Sequence, residues 1–378
     1  MRVLHFFKTY YPETYGGVEE VIYQLAENSS RYGIDAQVLT LSQRGSIRGE
    51  RYHNHIVHRS RADFYAASTS FSLSAFRDFT ELARDVDLIH YHFPWPFMDL
   101  VHFTTRVKKP SVVTYHSDIV RQRALLELYK PLQNRFLASV GHIIATSPNY
   151  VASSAVLSKY KDKVSVIPIG IDDAFLSVVP ERKILEAWRD RLPERFFLFI
   201  GALRYYKGLS YLLEAASIAR YPIVIAGGGP DEAVLKAQAN ALGLDSVHFV
   251  GALSPTDKSA LLRLCYAFVF PSHLRSEAFG IALLEAAMHG KAMISCEIGT
   301  GTSYVNLDGV TGLTVPGANS DRLVEAMRVL WKDSDVTAQY GENARQRYLT
   351  LFTAGDMAKQ YSELYKQSLR EYRISHNV

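Results

Sequence analysis

Cysteine is nearly absent from these 378 residues: only Cys265 and Cys296 occur, both within apolar, strand-like runs. So few thiols make no disulfide framework, and the expectation is two buried, reduced cysteines in a cytosolic protein. Long apolar runs are absent as well. No stretch approaches the ~18 apolar residues of a membrane span, and Met1-Arg-Val-Leu-His-Phe-Phe7 reaches Lys8 too soon to read as a signal peptide. The expected location is cytoplasmic, with any membrane attachment peripheral. Charge of one sign is not in excess either, since a net +4 is too small to argue for a nucleic-acid partner. Two motifs are also missing. Only the pair Gly16-Gly17 follows the first strand-like run, so a GxGxxG dinucleotide fingerprint fails. His90, His92 and His116 lack a Cys or carboxylate partner in metal-ligand order, so no metal site is expected.

What is present is an ordinary globular composition, 48% hydrophobic and 21% charged, in a chain longer than a single core usually supports. Two domains are expected. Apolar runs at Val3 to Phe7, Ala36 to Leu41, Asp87 to His92, Ser111 to His116, His142 to Ser147 and Val164 to Pro168 read as strands. Helical stretches separate them, the first with Val18, Val21, Ile22, Leu25 and Ala26 on one face. This alternation predicts a parallel sheet covered on both sides, with ligands at the carboxyl ends of its strands. After Pro168-Ile-Gly-Ile-Asp172 a second series begins: Phe196 to Ile200, Ile223 to Ala226, Val247 to Val250, Tyr266 to Phe270, Ala292 to Ser295 and Gly312 to Val315. The reading is an α/β protein of two doubly wound, Rossmann-like domains facing a central cleft, residues 1–172 and 173–354. A terminal helix at 355–378, with Met357, Tyr361, Leu364, Tyr365 and Leu369 on one stripe, is expected to cross back to the first domain.

The stretch around Glu277 and Glu285 anchors the functional reading. Glu277 falls in the loop after the strand ending at Phe270, and Glu285 lies inside the following helix, marked by Phe279, Ala282, Leu283, Ala286 and Ala287. Two acceptors on the order of 10 Å apart, from a rise of ~1.5 Å per residue, suit the two polyol ends of one ligand. Between them Gly280 permits close backbone approach, and a helix start offers N–H groups to an anion. Hydroxyl, phosphate, hydroxyl is the order of groups in a sugar nucleotide. Taken alone, the pair reads more readily as a chance spacing, with Glu285 a solvated or first-turn carboxylate. Gly201-Ala-Leu-Arg204-Tyr-Tyr-Lys207-Gly208 adds two cations ahead of a helix, enough to meet a diphosphate, though a basic surface pair is the plainer alternative. Gly227 to Pro230 brings a flexible backbone to the same rim. In the first half His92, His116 and Ser147 end neighbouring strands, and a neutral His116 imidazole either serves a sugar hydroxyl or caps its strand.

From His102 to Arg135 seven basic residues (Arg106, Lys108, Lys109, Arg121, Arg123, Lys130, Arg135) face two acidic ones, Asp118 and Glu127. Interleaved with Phe103, Leu125, Leu126, Leu128, Tyr129, Leu132 and Phe136, the segment 102–136 reads either as a solvated helix face or as a surface resting on anionic lipid.

In order along the chain, Gly16-Gly17-Val18-Glu19, His116, Pro168 to Asp172, Arg204 with Lys207-Gly208, Gly227 to Pro230, Glu277 with Glu285, and Asp308-Gly-Val-Thr-Gly312 resemble the retaining nucleotide-sugar glycosyltransferases of the GT-B fold. The resemblance spans almost the whole chain. It implies an acceptor-binding first domain and a donor-binding second one. It implies that Arg204 and Lys207 hold the donor diphosphate, Glu285 the ribose, Glu277 the transferred sugar, and the backbone at Phe279, Gly280 and Ile281 the sugar and phosphate. Gly16, Gly17 and Gly228 then border the donor, and His116 faces the reacting sugar. No metal or other cofactor is implied. The Leu-Arg-Tyr-Tyr-Lys-Gly form is similar to bacterial enzymes that take mannose or a related deoxyhexose from a GDP-sugar and build O-polysaccharide on a lipid carrier, at the cytoplasmic face of the inner membrane. Departures from the family pattern are Ala202 after Gly201, where Arg is common, Glu277-Ala-Phe-Gly280 for Glu-Gly-Phe-Gly, and Gly299-Thr-Gly-Thr-Ser-Tyr304, which lacks a family glutamate. A UDP-sugar-dependent glucosyl- or N-acetylglucosaminyltransferase, a non-catalytic sugar-nucleotide scaffold and a pyridoxal-phosphate phosphorylase are the alternatives.

Overall fold

The computed structural model describes residues 1–66, 69–119, 123–172 and 180–376. It divides into two units, Met1–Gly170 with Ala354–Val378, and Ile171–Thr353.

The strands of the first unit are β1 (Arg2–Phe6), β2 (Asp35–Ser42), β3 (Ile47–Tyr52), β4 (His55–Arg61), β5 (Phe64–Ala66), β6 (Thr69–Phe71), β7 (Leu88–Phe93), β8 (Ser111–Tyr115), β9 (His142–Ala145) and β10 (Val164–Val166). Eight of them form one sheet in the order β10-β9-β8-β7-β1-β2-β4-β3, with β5 and β6 a separate two-stranded ribbon. Central strands are apolar on both faces because helices cover both, so Val3, Leu4, Phe6, Leu88, Ile89, Val112 and Val113 are almost wholly buried. The all-parallel expectation is corrected at one edge. There β3 runs antiparallel to β4, and neither strand is signalled by an apolar run, because β3 reads Ile-Arg-Gly-Glu-Arg-Tyr and is mostly exposed. A charged edge strand of this kind resists pairing with another chain.

The second unit holds β11 (Phe197–Ile200), β12 (Ile223–Ala226), β13 (Val247–Gly251), β14 (Ala267–Phe270), β15 (Met293–Glu297) and β16 (Gly312–Pro316). They pair in parallel in the order β13-β12-β11-β14-β15-β16. Sequence order reverses between β11 and β14, so the loops leaving these two neighbours diverge and open a crevice at the carboxyl edge. Arg204 and Lys207 leave β11, and Glu277 leaves β14. In the first unit the reversal falls between β1 and β7, the strand pair followed by Gly16-Gly17 and by Pro94.

The helix Ala354–His376 packs on the first unit, burying Met357, Tyr361 and Tyr365. Cys265 does not lie in a strand as its apolar run suggested. It caps the helix Pro255–Leu264, whereas Cys296 sits in β15, and both thiols are free and buried.

Candidate active site

In the second unit the turn Tyr205–Lys207 follows β11, and its Gly208 has φ +69° and lies against the loop after β14. A Cβ at Gly208 would stand 2.0 Å from the Pro271 carbonyl oxygen, so only glycine lets the two loops meet. The His273 amide seals this contact by donating to the Tyr206 carbonyl at 3.0 Å. Lys207 and Glu277 are thereby brought together. Lys207 Nζ lies 2.5 Å from Glu277 Oε2, with their side chains 11% and 12% exposed. The Ser272 hydroxyl also donates to that carboxylate, at 3.2 Å, and the Phe270 ring sits 4.6 Å from the ammonium. Arg204 is exposed at the start of the same turn. Its loop is tied to Gly228, whose carbonyl accepts from the Leu203 amide at 3.0 Å. The Nδ1 of His273 is buried with no hydrogen-bond partner among the described residues.

Glu285 lies on the helix Ile281–Met288, and its carboxylate is 2.5 Å from Lys258 Nζ. That partner could not be read from the sequence, because Lys258 belongs to the helix Pro255–Leu264 and carries no motif. Each carboxylate of the glutamate pair thus holds a lysine. Gly280, at φ +91°, starts the Glu285 helix without a side-chain cap and leaves its first N–H groups to an anion. Phe279 is buried, Ile281 half-buried. The turn containing them is braced from Gly299-Thr-Gly301: the Gly301 amide donates to the Ala278 carbonyl at 2.8 Å, and Arg275 Nη1 to the Gly299 carbonyl at 2.9 Å.

In the first unit Gly16 caps the helix Gly17–Ser29 with its backbone alone. The Glu19 carboxylate folds back over it, with Oε2 2.5 Å from where a Gly16 Cβ would stand. A carboxylate thus lies over the helix start beside Gly16 and Gly17, the pair expected to border the donor.

His116 follows β8 and is buried. Its Nε2 lies 3.0 Å from His92 Nδ1, and His92 Nε2 lies 3.1 Å from His5 Nδ1. Burial holds His5 and His116 at a pKa of about 3 and pushes His90 and His92 well below the ordinary range, so all four are neutral near pH 7. The cluster with metal-like spacing is therefore His5, His90 and His92, not the trio His90, His92 and His116 considered from sequence. Its ring nitrogens are spent on one another and on hydroxyls: His90 Nδ1 meets Tyr365 Oη at 2.6 Å, and His90 Nε2 meets Thr114 Oγ1 at 2.7 Å. The donor set is that of a hydrogen-bond network. A sequence signal for it existed, one histidine in β1 and two in β7 among largely apolar, buried neighbours.

Of the segment 102–136, Arg121 lies outside the described residues, as does the side chain of Arg123. Leu125 and Leu128 are exposed, at 51% and 81%. Phe136 is wholly buried in the core, and Tyr129 turns inward to donate to the Asp99 carboxylate. The apolar surface is smaller than the sequence pattern indicated.

Two family models match the chain, "Glycosyltransferase Family 4" over residues 15–175 and "Glycosyl transferases group 1" over residues 181–347. The D-rhamnosyltransferase WbpZ of Pseudomonas aeruginosa is 57% identical over 355 residues, covering 94% of this chain and 93% of that protein. The O-antigen chain mannosyltransferase C of Escherichia coli is 51% identical over 365 residues, covering 97% and 98%. Among solved structures, the sucrose-phosphate synthase from Thermosynechococcus elongatus superposes with a TM-score of 0.79 at 21% identity, over 97% of this chain and 98% of that one.

Proposed function

The chain belongs to the group 1 and family 4 glycosyltransferases, and we propose that it moves mannose or a related deoxyhexose from a GDP-sugar to a lipid-linked saccharide during O-antigen synthesis. The observation that carries the donor reading is the meeting of Lys207 with Glu277 at the reversal point of the second sheet. A cation paired to a carboxylate at a crevice can exchange that carboxylate for a phosphate. Arg204 and Lys207 then take the leaving diphosphate, the charge-stabilising task a divalent cation performs in other transferases. Glu277, released from Lys207, turns to hydroxyls of the transferred sugar, and Glu285 with Lys258 beside it receives the ribose. The N–H groups at Gly280 and Ile281 meet phosphate.

Transfer proceeds with retention. The bond from the anomeric carbon to the phosphate oxygen breaks, the acceptor oxygen bonds to the same face, and the acceptor's proton passes to the departing phosphate. Among the described residues no carboxylate is assigned as a nucleophile on the opposite face. The sugar and acceptor class rest on the relatives, whose names record a rhamnosyl and an O-antigen mannosyl transferase. Exposed Leu125 and Leu128 beside Lys130 and Arg135 support peripheral contact with an anionic membrane where a lipid-linked acceptor resides.

Thermal-shift measurement against GDP, UDP, ADP and their sugar conjugates tests the donor. At 100 times its dissociation constant the true donor adds about 2.7 kcal/mol. A larger shift with UDP-glucose than with GDP-mannose overturns the GDP assignment, and no shift with any nucleotide sugar overturns the site.

A further inference from the structure

The period of two along a strand and the register between parallel neighbours decide which polar groups meet inside the first unit. His5 pairs with His90 across β1 and β7, and His92 pairs with Thr114 across β7 and β8. His90 and His92 are two residues apart, as are Thr114 and His116. All five side chains therefore share one face of the sheet, the face on which Tyr361 and Tyr365 of the C-terminal helix bond Thr114 and His90.

On that face three imidazoles stand in line. His5 and His92 stack at 5.4 Å between centroids, His92 and His116 at 5.3 Å, and the linking nitrogens are 3.1 Å and 3.0 Å apart. A neutral imidazole has one N–H and one bare nitrogen. Two hydrogen bonds through three such rings must therefore run in one direction. If they run toward His5, His116 uses Nε2–H inward and presents a bare Nδ1. If they run away from His5, His116 accepts at Nε2 and presents Nδ1–H. The state of the outermost ring then follows from two rings that are themselves almost wholly buried. His90 and the tyrosines hold the line laterally, with the His90 ring 4.2 Å from that of His92.

We propose that His92 and His5 are positioning residues for His116, a hydrogen-bond chain that fixes which of its nitrogens carries the proton and so whether it meets the bound sugar as donor or acceptor. This rests on the reading that His116 faces the sugar, and adds to it the device that orients that contact.

The test uses the full chain with ¹⁵N-labelled histidine, whose long-range ¹H–¹⁵N correlations report the tautomer of each ring, together with donor kinetics. In the unaltered protein His116 shows a single tautomer. In His92→Phe, which keeps the ring volume and removes both links, His116 populates both tautomers. Loss of one oriented hydrogen bond then lowers kcat about tenfold or more, while the donor KM changes less than about threefold if the contact matters chiefly in the transition state. His92→Asn, whose amide can still meet His116 Nε2 but not His5 and can turn either its oxygen or its NH2 toward it, leaves His116 in both tautomers with kcat lowered as in His92→Phe. His5→Phe gives the same tautomer mixing from one ring further away, and it carries the test if His92→Phe does not fold. A single unchanged His116 tautomer in both phenylalanine variants overturns the proposal, as does binding of Co²⁺ by the cluster with the visible bands of imidazole ligation. A kcat unaffected by His116→Ala overturns instead the placing of His116 at the sugar, and the tautomer result still decides whether the chain exists.

Discussion

Glu277→Gln, Lys207→Met and their combination probe the pair that the second unit builds at its sheet reversal. The charges lie 2.5 Å apart with 11% and 12% of their side chains exposed. At an effective dielectric of about 20 their attraction is about 6 to 7 kcal/mol. Desolvating the two ions takes back several kcal/mol of this, leaving a net coupling of about 2 to 3 kcal/mol. Glu277→Gln leaves an ammonium against the Phe270 ring, and Lys207→Met leaves a carboxylate with the Ser272 hydroxyl. Each single change is expected to cost roughly 3 kcal/mol, because a lone buried charge is worse than none. The double variant is expected to cost about the same as either one, not the sum. Urea unfolding read by tryptophan fluorescence provides the free energies, with Trp188 and Trp331 reporting on the second unit. Nucleotide titration separates the functional roles. Lys207→Met loses a charge-assisted contact, on the order of 10- to 150-fold in GDP affinity, whereas Glu277→Gln binds GDP at least as tightly because a competing carboxylate has gone. Additive single costs, within about 0.5 kcal/mol, would refute the coupling. Equal loss of GDP affinity in the two single variants would refute the exchange of carboxylate for phosphate.

Gly208→Ala forces a left-handed residue with its Cβ 2.0 Å from the Pro271 carbonyl, so it should destabilise by about 2 to 4 kcal/mol from strain and overlap together, measured as a fall in the urea midpoint. Burial pushes the Cys265 and Cys296 thiols up to about 11 and about 12, and neither is expected to react with a thiol reagent at pH 8 until the protein is unfolded; prompt labelling of the native protein would contradict this. The buried histidines predict acid lability. His5 and His116 titrate near about 3 when folded against an ordinary 6.5, with His90 and His92 also well below it. Below pH 6.5 the unfolded chain takes up protons that the folded one refuses, so stability falls with pH until the folded values are reached, by up to roughly 1.4 kcal/mol per pH unit for each ring. A first-unit unfolding free energy flat between pH 6 and pH 4.5 would contradict it.

What could be read from the sequence followed from local regularity. Parallel strands between helices are largely apolar runs, so β1, β2, β7 to β10 and β11 to β16 were all visible. Glu277 and Glu285 were legible because strand, glycine and helix are consecutive in the chain. Lateral neighbours were not. Lys258 reaches Glu285 across 27 residues, and Thr114 meets Tyr361 across 247. Such meetings depend on strand order and helix packing, which leave no periodic mark. β4 was hidden because His58, Arg59 and Arg61 interrupt its apolar pattern. Arg59 is nevertheless buried, its Nη2 donating to the Tyr11 carbonyl at 2.7 Å and its Nε to Glu50 at 3.0 Å. Phe136 was misread for the opposite reason: an aromatic between basic residues looks like a surface anchor until the helix turns it inward.

The two units bury polar groups near their strand ends in different ways. In the second unit the buried groups are ions, Lys207 with Glu277 and Lys258 with Glu285, whose partners can be exchanged for those of a charged ligand. On the face of the first sheet shared by β1, β7 and β8 they are uncharged rings locked to one another and to tyrosine hydroxyls, while the Glu19 carboxylate covers the helix start at Gly16. Neutral imidazoles give little attraction to a diphosphate, and a carboxylate repels it. On the proposed reading, recognition of the leaving group's charge belongs to the ion pairs of the second unit, and the rings of the first contribute hydrogen bonds. A transfer of the proposed kind both separates charge and moves a hydroxyl proton, and exchangeable ion pairs suit the first task as neutral imidazoles suit the second.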